Sequence, residues 1–191
     1  MTTGILSRPL ALDNTFRSHL RLVEPDDAAF ICELRADPRL NRHLSKSSPE
    51  VEAQKAWIEN YKQREAAGSE YYFVIHSDGA DCGVVRMYDF QENSGSFCWG
   101  SWIIKQPAPI SLAPYTAALI YELGFDVLGF EQSHFDVRKE NEKVCRFHLR
   151  TGAIRVGETE LDQLFVFKRE SWPSLREASE RHIRKHRVSL K

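Results

Sequence analysis

Hydrophobic and polar positions alternate in some stretches of the chain and recur at helical spacing in others. Residues 19–23 alternate as in a strand. A helix is predicted after residues 24–27, because proline and acidic residues favour the first helical turn, and Asp37-Pro38 ends it. A second helix is predicted behind the start signal at residues 47–50 and runs to about Ala67.

From residue 70 the helical spacing of the hydrophobic positions ends. Strands are predicted over residues 71–75, 82–90 and 95–105, with turns at 76–79 and 91–94. Because these turns are short, we expect the three strands to form an antiparallel meander.

Helices and strands alternate in the second half of the chain. A long amphipathic helix is predicted over residues 111–128, where apolar residues recur at helical spacing. A strand over 130–137, a helix over 141–151 and closing strands over 153–157 and 161–168 follow. The predicted order is β-α-α-β-β-β-α-β-α-β-β, which favours an α/β or α+β fold in one domain.

That domain is expected to span residues 19–172. Residues 1–18 are a lead-in with little periodicity. Residues 173–191 form a tail, expected to be helical, with six basic and two acidic residues and hence a local charge of +4. The tail indicates either a solvated terminal helix or a contact for a phosphate-rich partner.

Composition narrows the class of protein. Hydrophobic residues make up 42% and charged residues 28% of the 191 residues, so a packed core is expected. The 26 basic and 27 acidic residues nearly balance, which argues against a nucleic-acid partner for the whole domain. No apolar run approaches the ~20 residues that span a bilayer, and the first residues do not resemble a signal peptide. The four cysteines (Cys32, Cys82, Cys98 and Cys145) lack metal-site or disulfide spacing, so we expect a soluble, cytoplasmic protein without a metal.

One helix motif carries a family resemblance. The stretch from Asn141 to Ala153 reads NEKVCRFHLRTGA. Together with the element order, it resembles the penultimate helix of the GNAT superfamily of acyl-CoA-dependent N-acetyltransferases, in the branch that acetylates ribosomal proteins and amino sugars. Asn141, Val144 and Gly152 match the family pattern, whereas His148 replaces a tyrosine and Ala153 an aromatic residue. The resemblance implies a central, mixed, mostly antiparallel sheet with helices on both faces.

The resemblance also implies acetyl-CoA as co-substrate. In the family, a glycine-rich loop before the long central helix cradles the pyrophosphate, and Ser111, Leu112 and Ala113 stand there in this chain. The loop has lost its first glycine, so we expect CoA binding to be altered but retained. The strand edge that follows Gly100 is expected to bind pantetheine, because glycine inside a strand often marks a bulge. The expected CoA contacts are Trp102, Ile103 and Ile104 on that edge, and Asn141 and Val144 on the motif helix.

Amide formation needs a proton acceptor for the amine and a proton donor for the leaving thiolate. The resemblance assigns the donor to His148, with His134 and Asp136 as alternatives. Many family members use a glutamate as base on the strand that here carries Cys98. The base in this chain is therefore expected to be water or a group on the neighbouring strand, where Asp89 is the candidate that could anchor a cationic amine or relay its proton. Candidate substrate-binding residues are Arg86, Tyr88 and Trp99.

The sequence therefore predicts an N-acetyltransferase that moves an acetyl group from acetyl-CoA to a primary amine by direct attack, through a tetrahedral intermediate. A small-molecule acceptor such as an amino sugar is favoured. A protein N-terminus or ribosomal protein, and a non-catalytic domain that binds CoA or a partner, remain the alternatives. A membrane partner is not expected, and the pattern is compatible with a homodimer.

Overall fold

The computed structural model describes residues 10–13, 18–42 and 50–182, which form eight strands and six α-helices. The strands are β1 (Leu10–Asp13), β2 (Ser18–Leu22), β3 (Tyr71–Ser77), β4 (Ala80–Gln91), β5 (Ser96–Ile104), β6 (Gln132–Arg138), β7 (Ile154–Glu158) and β8 (Asp162–Lys168). The helices are α1 (Ala28–Ala36), α2 (Pro38–Asn41), α3 (Val51–Ala66), α4 (Leu112–Glu122), α5 (Glu142–Arg150) and α6 (Trp172–His182).

All eight strands belong to one sheet in the order β1-β2-β3-β4-β5-β6-β8-β7. The pairing of β5 with β6 is parallel, and the other pairs are antiparallel. The predicted meander is therefore present as β3–β4–β5, because two short turns join these strands. A mixed, mostly antiparallel sheet is confirmed.

Helices cover both faces of the sheet, as expected. On one face α1 and α3 pack over β3 and β4, with Ile31, Leu34, Ile58 and Tyr61 against Tyr72 and Val84. On the other face α4, Cys145 of α5 and Trp172 of α6 pack against Phe97, Phe135 and Phe165. Each strand of the centre therefore buries alternate side chains on opposite faces.

Two boundaries differ from the predictions. Residues 10–13, assigned to the lead-in, form an edge strand in which Leu10 pairs with Leu20. The predicted helix over 111–128 is an α-helix only to Glu122 and continues as a π-helical turn over Leu123–Val127. Gly124 in this turn lies on the Phe97 ring, where an added Cβ would come within 2.3 Å of ring carbons. This close approach depends on a residue of β5, so the spacing of apolar residues within the helix could not predict it.

The first part of the tail is helical and packs on the domain. Trp172 is buried, and its Nε1 donates a hydrogen bond of 2.9 Å to Asp126. Arg176 also lies 3.2 Å from Asp126. Residues 183–191 and most of the start signal at 47–50 lie outside the described residues. Within the described ranges no helix is long and apolar enough to cross a membrane.

Candidate active site

Strands β5 and β6 part after a short parallel ladder. Cys98 and His134 are the last pair, so the edge of β5 that faces β6 is open from Trp99 onward. Opposite Val85, β5 contains a bulge in which Ser101 has a φ of 47°. The bulge predicted from Gly100 is therefore present, one residue further along. A bulge at this point bends β5 and increases its twist, which favours the divergence.

Three side chains form a row across the sheet where the strands part. Tyr88 pairs with Cys98, and Cys98 pairs with His134, so all three lie on one face. Burial raises the pKa of the Cys98 thiol to about 12, and nearby Asp136 and Asp89 contribute to that rise. The thiol is therefore protonated at neutral pH and is not an activated nucleophile. The Tyr88 hydroxyl lies beside Gly100, 3.1 Å from the position of an added Cβ.

A second bulge, in β4, turns Asp89 toward this row. Alternation with Met87, which is buried, would direct Asp89 into the core. Instead the register with β5 shifts between Tyr88 and Gln91, and Asp89 adopts a φ of 50°, which is rare for a side chain other than glycine. Strained backbone of this kind concentrates at functional sites.

Asp89 is held by two donors. Its Oδ2 accepts hydrogen bonds from Gln91 Nε2 at 3.0 Å and from His134 Nε2 at 2.9 Å. The bonds from His134 and Gln91 lower the pKa of Asp89, so the carboxylate is ionised at neutral pH. The ring of His134 is fixed at its other nitrogen, because Ser96 Oγ lies 2.6 Å from Nδ1.

Arg86 lies two residues before Tyr88 on the same face. Its guanidinium is 4.6 Å from the centroid of the Tyr88 ring and 5.2 Å from that of Trp57 on α3. Its Nε forms a short hydrogen bond with Glu70, whose residue is only 4% exposed. Arg86 and Tyr88, both predicted to bind substrate, are thus neighbours on one face of the sheet.

The predicted CoA contacts lie along the open edge and at the ends of two helices. Ile103 and Ile104 pair with β4 on one side and face the gap on the other. At the start of α4, Leu112 N–H donates to Pro109 and Pro114 has no N–H, which leaves the amides of Ser111 and Ala113 for an anion. The free strand edge fits pantetheine, and the shortened set of amides fits an altered pyrophosphate contact.

Asn141 is the residue before the first turn of α5, and its side chain does not cap the helix. Its backbone carbonyl instead accepts from the amides of Val144 and Cys145. The side-chain amide is therefore not used for capping within the described part of the chain. The ring of Phe147, on the same helix, lies 5.6 Å from that of Trp102, so α5 stands beside the open edge of β5.

His148 occupies an aromatic cage in the core. It is 4% exposed, and ring centroids of Phe135 and Trp99 lie 4.3 and 5.4 Å away. Burial lowers the pKa of His148 to about 4, so the ring is neutral at neutral pH. This environment argues against the predicted role of His148 as proton donor, because a neutral imidazole of low pKa has little proton to give.

Trp99 belongs to the same cage. It is 4% exposed and packs on Tyr121, on the face of the sheet opposite to Arg86 and Tyr88. The predicted substrate contact of Trp99 is therefore corrected to a packing role. Of the predicted residues, the structure brings together Asp89, Arg86 and Tyr88, and leaves His148 and Trp99 apart from them.

Several site residues were missed or ranked low in the sequence. Glu70 and Trp57 were not among the predicted site residues; Glu70 immediately precedes β3, and Trp57 lies on α3. His134 was only an alternative proton donor, yet it holds Asp89. The one signal for Glu70 in the sequence is its position, as a charged residue directly before the apolar run 71–75. In the described ranges no group of three or more His, Cys, Asp or Glu side chains could hold a metal ion.

Comparison with known proteins identifies the family. A family model described as the acetyltransferase (GNAT) domain matches residues 17–154. None of the curated proteins matches the sequence. Among solved structures, apo FdhC, described as a nucleotide-linked sugar GNAT, is 45% identical with a TM-score of 0.81 and covers 87% of this chain and 94% of its own. A spermidine N-acetyltransferase variant from Vibrio cholerae is 16% identical, with a TM-score of 0.66 and coverage of 81% and 95%, and shares the fold.

The match over residues 17–154, the parting of β5 and β6 and the 45% identity to a solved GNAT structure agree with one another. The chain therefore belongs to the GNAT acetyltransferases and is an acetyl-CoA-dependent N-acetyltransferase.

Proposed function

We propose that this enzyme transfers the acetyl group of acetyl-CoA to the primary amine of an amino sugar that is linked to a nucleotide. The likeness to FdhC, described as a nucleotide-linked sugar GNAT, supports this acceptor at 45% identity over 87% of the chain. The cleft that holds Arg86, Tyr88 and Asp89 offers a cation, an aromatic hydroxyl and a carboxylate. A phosphorylated amino sugar presents the matching anion, ring hydroxyls and ammonium.

The observation that carries the proposal is the state of Asp89. Both of its hydrogen bonds go to Oδ2, and within the described residues Oδ1 accepts none. The side chain is 56% exposed, so an ammonium can reach it. An ionised carboxylate with one oxygen already fixed is well placed to orient a cationic amine at low entropic cost.

Asp89 anchors the amine and relays its proton. A carboxylate of lowered pKa is a weak base, so the proton passes from the ammonium by way of Asp89 to solvent. His134 and Gln91 act as positioning residues because they hold Oδ2. Tyr88, next to Gly100 at the point where the strands part, offers a hydroxyl proton near the leaving thiolate. Burial raises the pKa of Tyr88, which keeps this hydroxyl protonated.

Thiol release from acetyl-CoA tests the proposal. The acceptor panel contains nucleotide-linked amino sugars, the corresponding free amino sugars, spermidine and a peptide with a free N-terminus. We expect release with a nucleotide-linked amino sugar, and a fall of about 100-fold in kcat/KM for Asp89→Asn. Glu92→Gln is the matched control, because this exposed acid lies three residues away, and should leave the rate unchanged.

Two results would refute the proposal. Release with the peptide alone would identify a protein acetyltransferase. Absence of release with every amine, despite tight acetyl-CoA binding, would identify a non-catalytic domain.

A further inference from the structure

Arg86 is held in a fixed orientation by its neighbours. Its Nε is bonded to buried Glu70, and its Cζ lies over the rings of Tyr88 and Trp57 at 4.6 and 5.2 Å. Stacking on aromatic faces and a hydrogen bond to a carboxylate both restrict a guanidinium. The side chain of Arg86 has therefore lost most of its freedom before any ligand binds.

The far end of the same guanidinium is open. Within the described part of the chain, Nε is the atom of Arg86 that donates a hydrogen bond, so Nη1 and Nη2 keep their N–H groups for a ligand. The side chain is 24% exposed, which allows access from the cleft. A planar fork with two free nitrogens is the geometry that binds phosphate in a bidentate manner.

The local charge also favours an anion. Glu70 is shared by two cations, since Arg64 Nε lies 2.7 Å from its other oxygen. The guanidinium of Arg64 is 5.3 Å from the centroid of the same Trp57 ring. The single negative charge of Glu70 is therefore divided between two guanidinium groups, so neither is fully neutralised by it. Asp136 and Asp89 are acids near the adjoining Tyr88–Cys98 pair.

The spacing along β4 relates this cation to the amine anchor. Arg86 precedes Asp89 by three residues, about 10 Å along a strand at ~3.3 Å per residue. A pyranose ring that carries an amine at one carbon and a phosphate at the anomeric carbon has the length to bridge the two groups.

We infer that Arg86 binds a phosphate of the acceptor's nucleoside diphosphate, and that Glu70 is the positioning residue that orients Arg86. This inference rests on the proposed function for the identity of the acceptor. Arg86 is then the residue by which the enzyme distinguishes a nucleotide-linked sugar from a free one.

Calorimetric titration tests the inference without requiring turnover. The probes are UDP and dTDP, with uridine and thymidine as the phosphate-free pair, and each titration is repeated in saturating CoA. We expect at least one diphosphate to bind the wild-type protein. Arg86→Gln should lower its affinity about 10- to 100-fold and leave nucleoside binding unchanged. Glu70→Gln should shift the affinity in the same direction, to a smaller extent.

Arg155→Gln is the matched control, because Arg155 is an exposed arginine on β7, at the end of the sheet. Arg86→Lys keeps the charge without the planar fork and should recover part of the affinity. It replaces Arg86→Gln in the comparison if circular dichroism shows that Arg86→Gln is poorly folded. Equal diphosphate binding in the Gln variants of Arg86 and Arg155 would overturn the inference. So would failure of both diphosphates to bind, or displacement of the bound diphosphate by CoA, which would locate it in the CoA site.

The two proposals fail in different ways. Arg86-dependent binding of a diphosphate, without acetylation of any nucleotide-linked amine, would support the phosphate site and refute the proposed reaction. Acetylation of nucleotide-linked and free amino sugars with equal kcat/KM, unaffected by Arg86→Gln, would support acetyl transfer and overturn the phosphate site.

Discussion

Asp89 and His134 lie on strands that are not neighbours in the sheet, yet Oδ2 of Asp89 is 2.9 Å from Nε2 of His134. The contact passes over β5, which separates β4 from β6. It depends on the bulge at Asp89, whose φ of 50° turns the carboxylate out of the direction that strand alternation would give it. Two irregularities in β4 and β5 thus build the cleft, one at each side of the Tyr88–Cys98 pair.

Replacing His134 should change the pH dependence of the reaction. The bond from His134 is the largest cause of the lowered pKa of Asp89, so His134→Phe should raise that pKa toward its ordinary value. In the proposed mechanism Asp89 acts as the ionised carboxylate, so the acidic limb of kcat/KM should move to higher pH. A pH profile of wild type, His134→Phe and the exposed control Glu92→Gln measures the shift. An unmoved limb in His134→Phe would show that the contact does not tune Asp89.

His148 should make stability depend on pH. Its folded pKa of about 4 lies below the ordinary value of 6.5, because burial disfavours the charged ring. Between these values the unfolded chain binds the proton and the folded chain does not, so stability falls as pH drops from 6.5 to 4. At ~1.4 kcal/mol per pKa unit the loss is about 3 kcal/mol.

His148→Leu removes this titration and should flatten the curve over that interval. The measurement is urea unfolding at a series of pH values, with Leu149→Ala as control, because Leu149 is half exposed on the same helix. Parallel curves for wild type and His148→Leu would contradict the burial argument.

Gly83 should be intolerant of a side chain. An added Cβ would lie 2.1 Å from the carbonyl oxygen of Ile103, which is backbone and cannot rotate away. Gly83→Ala should therefore displace β5 and destabilise the fold by about 1–3 kcal/mol. Gly157→Ala is the control, since its Cβ would meet Leu164 at an ordinary 3.7 Å. Equal unfolding midpoints in urea for the two variants would contradict the close approach.

Acetyl-CoA should stabilise the protein against heat. A ligand at 100 times its Kd adds about 2.7 kcal/mol. For a chain of 191 residues this corresponds to a rise in Tm of roughly 5–10 °C. Differential scanning fluorimetry with and without acetyl-CoA measures the rise. An unchanged Tm at millimolar acetyl-CoA would mean that the altered loop before α4 no longer supports binding.

Most helices and strands could be predicted from the local order of hydrophobic and polar residues, because that order reflects which side chains each element buries. The apolar run over residues 71–75 and the helical spacing from Leu112 depend on neighbours in sequence, and both elements are present. Strand β1 was missed because its four residues are too few to show a period and gain their order from pairing with β2. The π-turn after Glu122 was missed because Phe97, distant in sequence, fits against Gly124.

Site residues were less predictable than elements. Asp89, Arg86 and Tyr88 became candidates because polar residues interrupt an apolar strand, and their roles stay predictions. The sequence offered His148 and Trp99 as site candidates, but it gives no sign of the aromatic cage in which both side chains are buried. Glu70 was missed because a lone acid before a strand is ordinary until two arginines converge on it.

By itself the sequence determined the order of the elements, the mixed sheet and the family, since periodicity and the motif from Asn141 to Ala153 are local properties of the chain. Only the tertiary structure decided which groups meet. Asp89 reaches His134 through a bulge, and Arg86 is fixed by Glu70, Tyr88 and Trp57. These contacts join residues far apart in sequence, and their geometry depends on backbone torsions and burial that no single segment encodes.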